Sequence, residues 1–205
     1  MPAASGGKRM LVFWESRLVF LATPKTGSTA IEAALDGLAA ISVTRPPEAK
    51  HTSAARYRAF LDPYLRSAAE ERFEVVALMR EPLDWLASWY RFRQVDEPAE
   101  AAAGMSFDAF VRDYMRRPRP VHAEVGSQAG FLTCPDRGVA VDRLFAYEDI
   151  GRFVEFLEDR LNCEIILPRL NVSPAAPLEI DPATVAQHRA FAAEDYALWE
   201  GLRRG

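Results

Sequence analysis

At 205 residues, with 49% apolar and 26% charged side chains, the sequence has an ordinary globular composition and is long enough to bury a proper core as a single domain over 1–205. A net charge of -4 excludes a general attraction to nucleic acid or to an anionic membrane, so an anionic ligand has to be held by a local cluster of cations. The apolar run "MLVFWESRLVFLA" is broken by Glu15 and Arg17 and reads as neither a leader peptide nor a membrane span. Cys134 and Cys163 have no metal-like or redox-like spacing; as two plain thiols without an export signal they point to a reducing, cytoplasmic setting.

Residues 1–9 read as a disordered tail. "LVFW" and "RLVFLA" then read as two short strands joined around "ES", a hairpin that delivers the chain into its first core strand. Residues 29–40 place Ile31, Ala34, Leu35 and Leu38 on one helical face. "ISVT" suits a short strand, stopped by Pro46 and Pro47, and "TSAARYRAFLDPYL" reads as a helix carrying Tyr57, Phe60, Leu61 and Tyr64. "FEVVALM" is nearly continuous in apolar character, as a strand covered on both faces should be. It stops at Arg80, and Pro82 is suited to the first position of a helix through "LDWLASWYRF". "EPAEAAAG" reads as a mobile surface loop, "SFDAFVRDYM" as a short helix and "RRPRP" as an irregular basic link.

"VDRLFAY" predicts another strand, and "DIGRFVEFLEDRL" an amphipathic helix with Ile150, Phe153, Val154, Leu157 and Leu161 on one stripe. Asp181 and Pro182 open a further helix, and "EDYALWEGL" closes the chain as the last one. Strands alternating with helices predict an α/β chain with a central mostly parallel sheet wrapped by helices on both faces. Ligands of such sheets bind beyond the carboxyl ends of the strands. That rule selects two places, the polar knot "TPKTGST" and the turn at Arg80.

The knot puts a lysine, a glycine and four hydroxyls within seven residues. Successive amides in a strand-to-helix turn, backed by the positive end of a helix dipole, make an anion site. Gly27 lets the backbone curl, Lys25 adds a full charge, and Thr26, Ser28 and Thr29 add donors. The competing reading is a plain helix start, because Thr29 and Glu32 fit a capping box. No G-x-x-x-x-G-K-[ST] is present, since here the lysine precedes the glycine. At the second place, Ser88 lies about two helical turns beyond Arg80, so a guanidinium and a hydroxyl can converge on a phosphate. The competing reading pairs Arg80 with Glu81 or Asp84.

"PKTGST" resembles the 5′-phosphosulfate loop of sulfotransferases, and "REPLDWLASWY" resembles their 3′-phosphate motif, with its Arg–Pro start and its serine eight residues after the arginine. "QAGFL", "YEDI", "LPRLNVS" and "EDYALWEGL" are similar to segments of the carbohydrate-sulfotransferase branch and its bacterial relatives. The resemblance implies a three-layer P-loop-like fold with a central mostly parallel sheet flanked by helices, 3′-phosphoadenosine 5′-phosphosulfate (PAPS) as sulfuryl donor and adenosine 3′,5′-bisphosphate as product. It assigns Lys25, Thr26, Gly27, Ser28 and Thr29 to the 5′-phosphosulfate, and Arg80 and Ser88 to the 3′-phosphate. The resemblance does not choose the acceptor; a hydroxyl (or amine) of a carbohydrate, lipid or small molecule is expected to receive the group.

Sulfuryl transfer should follow the logic of phosphoryl transfer, by positioning and electrostatics, with Lys25 neutralising the leaving oxygen and no metal required. The acceptor proton needs a base. His51 follows the "ISVT" strand, where several sulfotransferases place a catalytic histidine or glutamate; Glu48, His122 and Glu124 are the other candidates, and His188 sits on a late helix. Trp85, Trp89, Tyr90 and Phe92 read as core more than as stacking platforms, and Arg116, Arg117 and Arg119 as a solvated loop more than as an acceptor clamp. Two other functions share this sequence pattern. One is a nucleotide-dependent kinase, with Tyr147, Glu148 and Asp149 as a Walker-B-like strand end; the other is a nucleotide-binding relative without turnover.

Overall fold

The computed structural model describes residues 10–43, 51–95, 104–136, 138–168 and 178–204. The tail 1–9, the stretch 44–50 with Pro46, Pro47 and Glu48, nearly all of the loop 97–104 and most of "LPRLNVS" lie outside the described residues. The chain divides into two compact units, 1–79 with 128–170, and 80–127 with 171–205.

In the first unit, β1 (Met10–Phe13) and β2 (Leu18–Leu21) form the expected hairpin. Arg17 turns the corner in a left-handed conformation, φ 49, its N–H bonded to Trp14 O at 3.2 Å. Helix α1 (Ser28–Leu35) follows β2, and β3 (Ile41–Val43) pairs antiparallel with β1. "FEVVALM" becomes β4 (Glu74–Met79), parallel to β2. Downstream, α6 (Gln128–Leu132) leads into a two-stranded ribbon of β5 (Thr133–Cys134) and β6 (Gly138–Val139), which the sequence reading did not anticipate. β7 (Arg143–Ala146) then joins β4 in parallel and feeds α7 (Ile150–Leu161).

The five-stranded order is β3-β1-β2-β4-β7, a mixed α/β sheet. Only β1 runs against the other four, because it is antiparallel to both of its neighbours. The loops after β2, β4 and β7 therefore leave from one end of the sheet.

Alternation along the strands explains how the sheet is covered. Leu11, Phe13, Leu18, Phe20, Val76 and Leu78 share a core with Ile31 and Leu35 of α1 and Phe153 and Leu157 of α7. The intervening residues Met10, Val12, Val19, Leu21, Val75 and Ala77 are equally buried, as the continuous apolar runs require. Glu74 ties the far end of β4 to Arg143 at 2.6 Å and to Arg160 of α7.

The predicted helix "TSAARYRAFLDPYL" forms in three parts: α2 (Ala54–Arg56), a wider π turn (Tyr57–Leu61) and α3 (Asp62–Ala69). Its inner stripe runs through Tyr57 and Leu65, both fully buried, whereas Phe60 and Tyr64 are 76% and 66% exposed. Four residues apart, those two occupy one outer face, so the stripe read from the sequence mixed two sides of the helix.

In the second unit, α4 (Pro82–Val95) begins at the predicted proline. α5 (Phe107–Met115) is capped by Ser106 Oγ, which accepts from Ala109 N–H at 3.2 Å. α8 (Pro182–Phe191) is capped by Asp181, which accepts from Ala183 N–H at 2.7 Å, and α9 (Ala193–Arg204) ends the chain. Trp85, Leu86, Phe107, Phe110, Val111 and Tyr114 form its core, with Trp89 and Tyr90 packed against it.

His188 is 1% exposed, its Nδ1 3.2 Å from Tyr196 Oη, and burial holds its pKa down at about 4. The folded chain keeps His188 neutral where the unfolded chain takes up a proton. Its contribution is complete above about pH 6.5 and is lost as pH falls toward about 4, amounting to roughly 3 kcal/mol. Denaturant titrations of the wild type and His188→Gln should therefore show the wild-type advantage shrinking by about that amount between pH 7 and pH 4. An advantage independent of pH would contradict a neutral, buried His188.

Candidate anion site

The polar knot fills the turn between β2 and α1. Two of its residues are left-handed, Lys25 at φ 66 and Gly27 at φ 72. Thr26 is buried and its Oγ1 donates to Thr23 O at 2.9 Å, which closes the turn on itself. Gly27 occupies the cap position of α1 and no side chain caps the helix; Thr29 lies inside the helix, so the Thr29–Glu32 capping box does not form. The first turn of α1 carries no acidic residue. The helix therefore presents its leading amides and dipole without a neutralising group of its own at the first turn.

Beneath that surface two hydroxyls are buried, Thr23 Oγ1 and Ser28 Oγ, and neither has a hydrogen-bond partner among the described residues. Leaving a buried hydroxyl unpaired costs about 1–3 kcal/mol. Two of them flank one turn that also carries Lys25, so the turn holds hydroxyls left without partners among the described residues. Thr23 was not singled out from the sequence; the signal was a threonine directly after an apolar strand, where a buried hydroxyl needs a reason.

Tyr147 was also missed as a contact of the knot. It follows β7 directly, and its ring lies against Gly27: a Cβ at residue 27 would meet Tyr147 Cε2 at 2.6 Å. No local pattern reveals this meeting, because it depends on β7 and β2 flanking β4. It explains why residue 27 must be glycine twice over, by backbone angle and by space.

His51 comes back to the same end of the sheet. Its Nδ1 is 3.1 Å from Ala22 O, at the exit of β2. A carbonyl only accepts, so this contact puts the proton on Nδ1 and leaves the lone pair on Nε2 in the neutral ring. The other candidates make contacts of their own. His122 is buried with Nε2 3.0 Å from Asp113 Oδ2, His188 is committed to Tyr196, Glu124 is exposed beside His122 in the chain, and Glu48 lies outside the described residues.

In the second unit, Arg80 is the first residue beyond β4 in the chain. Its Nε is 2.5 Å from Asp84 Oδ2, so the competing pairing is made for that nitrogen, and an anion here would share the guanidinium with Asp84. Glu81 Oε2 accepts from Asp84 N–H at 2.6 Å, and burial raises its pKa. Ser88 is half-buried one helical turn beyond Asp84 on α4. Trp85 is 2% exposed and belongs to the core. The basic link is not simply solvated. Arg116 pairs with Asp113 at 3.1 Å, Arg117 lies 4.7 Å over the Phe191 ring and Arg119 4.1 Å over the Tyr114 ring.

Among the described residues there is no group of three or more His, Cys, Asp or Glu side chains that could hold a metal ion, and no helix long and apolar enough to cross a membrane. Both cysteines are free thiols. No known protein family, curated protein or solved structure matches the chain.

Gly27→Ala should cost about 1–2 kcal/mol for the left-handed backbone and about 1–3 kcal/mol for overpacking against Tyr147. In a Tyr147→Ala background the second part should vanish, giving a coupling of over about 1 kcal/mol in a double-mutant denaturation cycle. Equal losses in both backgrounds would mean that Tyr147 does not support the turn.

Proposed function

We propose that this chain is a sulfotransferase that moves a sulfuryl group from PAPS to a hydroxyl-bearing acceptor, with a three-layer P-loop-like fold and a cytoplasmic setting. The observation that carries the reading is the uncapped turn at 23–28, where the buried hydroxyls of Thr23 and Ser28 lack partners among the described residues beside the Lys25 cation. The resemblance of "PKTGST" and "REPLDWLASWY" to the two phosphate motifs of sulfotransferases supplies the ligand.

In this reading the amides and side chains of Lys25, Thr26, Gly27, Ser28 and Thr29 hold the 5′-phosphosulfate, while Arg80 and Ser88 hold the 3′-phosphate. The acceptor oxygen attacks sulfur as the bond from sulfur to the 5′-phosphate oxygen breaks. Charge grows on that phosphate oxygen, and Lys25 with the leading amides of α1 stabilises it. His51 Nε2 takes the acceptor proton, with the ring oriented through Nδ1 and Ala22 O. The product is adenosine 3′,5′-bisphosphate. The carbohydrate branch to which the echoes belong makes a sugar hydroxyl the first acceptor to try.

Calorimetry should find adenosine 3′,5′-bisphosphate binding without magnesium and in preference to ATP–magnesium; preference for ATP–magnesium would instead identify a kinase. Radiolabelled transfer from PAPS to a panel of sugars, lipids and alcohols then reads turnover. Lys25→Ala should reduce transfer by about 100-fold or more, and His51→Asn should lower kcat by about 100-fold or more with donor affinity retained. Arg80→Ala should instead weaken donor binding about tenfold. Donor affinity unchanged in Arg80→Ala would remove that residue from the 3′-phosphate.

A further inference from the structure

The first unit gathers cations at a second place, at the opposite end of its sheet. Arg58, Arg66 and Arg72 line an open pocket of about 270 Å³ together with Val139, Ala140, Val141 and Asp142. Asp142 marks the amino ends of β4 and β7: its N–H donates to Val75 O at 2.7 Å, and its Oδ2 accepts from Val75 N–H at 2.8 Å. The turn at 23–28 lies beyond the carboxyl end of β2, so the length of a six-residue strand, roughly 17 Å, separates the two places.

The charges of this pocket alternate along a chain. Arg66 Nε is 3.1 Å from Asp62 Oδ2, and Asp62 Oδ1 is 3.3 Å from Arg58 Nη1. Arg58 Nη2 is 2.9 Å from Asp142 Oδ2, and Asp142 Oδ1 meets Arg72 Nη2. Three cations thus face two anions, and both ends of the chain are arginines lining the same pocket. Arg58 is used up, because its Nε also donates to Ala140 O at 2.9 Å. Its guanidinium rests 5.6 Å over the ring of the fully buried Tyr57, which fixes the middle of the chain. The two end arginines are different. Arg66 engages its acid through Nε and Arg72 through Nη2, and their side chains are 46% and 57% exposed. Each guanidinium carries five N–H donors in a planar fork, most of which these contacts leave unspent.

We propose that this pocket binds a compact oxyanion, a carboxylate, sulfate or phosphate group, between Arg66 and Arg72, with the apolar part of its bearer against Val139 and Val141. An anion at that point closes five alternating charges into a ring of six and cancels the one unbalanced cation. An exposed arginine holds an anion weakly. Two guanidinium forks lining one concavity, with a third beside them held by two carboxylates, offer the planar N–H donors that oxyanions accept in pairs. The surrounding protein is acidic overall, so the selectivity is local. None of these residues belongs to the proposed donor site, and the inference stands whether or not the chain transfers sulfate.

The test uses the full chain carrying Lys25→Ala, which disables the other anion cradle. Acetate, sulfate and inorganic phosphate are titrated at constant ionic strength set by chloride, while Tm and the side-chain Nε–H resonances of arginine are followed. At least one oxyanion should bind saturably, raise Tm with concentration and shift the Arg66 and Arg72 resonances; which one does so names the bearer's chemistry. Arg66→Gln with Arg72→Gln should weaken that binding about tenfold or more. If this double variant does not fold, the resonance shifts of the unsubstituted arginines decide alone. Binding no better than chloride, shifts confined to other arginines, or unchanged affinity in a folded double variant would overturn the proposal.

Discussion

The conformation of a single turn governs the functional reading of this molecule. Between β2 and α1 the backbone enters the left-handed region at Lys25 and again at Gly27, the Thr26 hydroxyl bonds back to the Thr23 carbonyl, and the Tyr147 ring closes against Gly27. Each of these is a local cost or constraint. Left-handed lysine is strained, an aromatic ring on glycine forbids any side chain there, and an uncapped helix gives up about 1 kcal/mol of ordinary capping stabilisation. The approach of Tyr147 leaves no room for the serine or aspartate that ordinarily caps a helix here. The strain is consistent with a backbone shaped for something outside the protein.

The rest of the first unit keeps that turn in place. β2 is an interior strand, hydrogen-bonded to β1 on one side and to β4 on the other, and its four residues are fully buried. β7 pairs with β4 in register, which fixes where Tyr147 emerges, and α7 anchors β7 through Phe153 and Leu157. His51 reaches the exit of β2 through the Ala22 carbonyl. Apolar packing thus sets the positions of three polar groups contributed by segments far apart in the chain. At the other end of the same strands, ion pairs take over. Glu74 binds Arg143 and Arg160, and Asp142 holds Arg58 and Arg72.

Much of this was legible in the sequence, and for identifiable reasons. Strands such as "FEVVALM" announce themselves because burial on both faces permits no polar residue, and Pro82 and Asp181 mark helix starts because their backbone and hydrogen-bonding needs are local. The knot was legible for the same reason, as polar residues clustered where an apolar strand ends. What was not legible depended on tertiary contact. The Tyr147–Gly27 approach, the burial of Thr23, the short β5–β6 ribbon and the arginine pocket all join segments far apart or too short to leave a periodic trace. The tryptophans of α4 and the arginines of 116–119 were ambiguous until packing assigned them to core and to aromatic faces. Arg80 shows the opposite limit. Its pairing with Asp84 is local and was legible as an alternative, yet local spacing alone did not choose between that carboxylate and a phosphate.

The central claim is that the amides and hydroxyls of residues 23–29 face an anion. Backbone amide resonances, followed during titration with adenosine 3′,5′-bisphosphate, measure this directly. Saturable shifts centred on Thr26, Gly27, Ser28 and Thr29, with slowed hydrogen exchange at those amides, are the predicted result. Saturation of the protein with those four amides unmoved would contradict it.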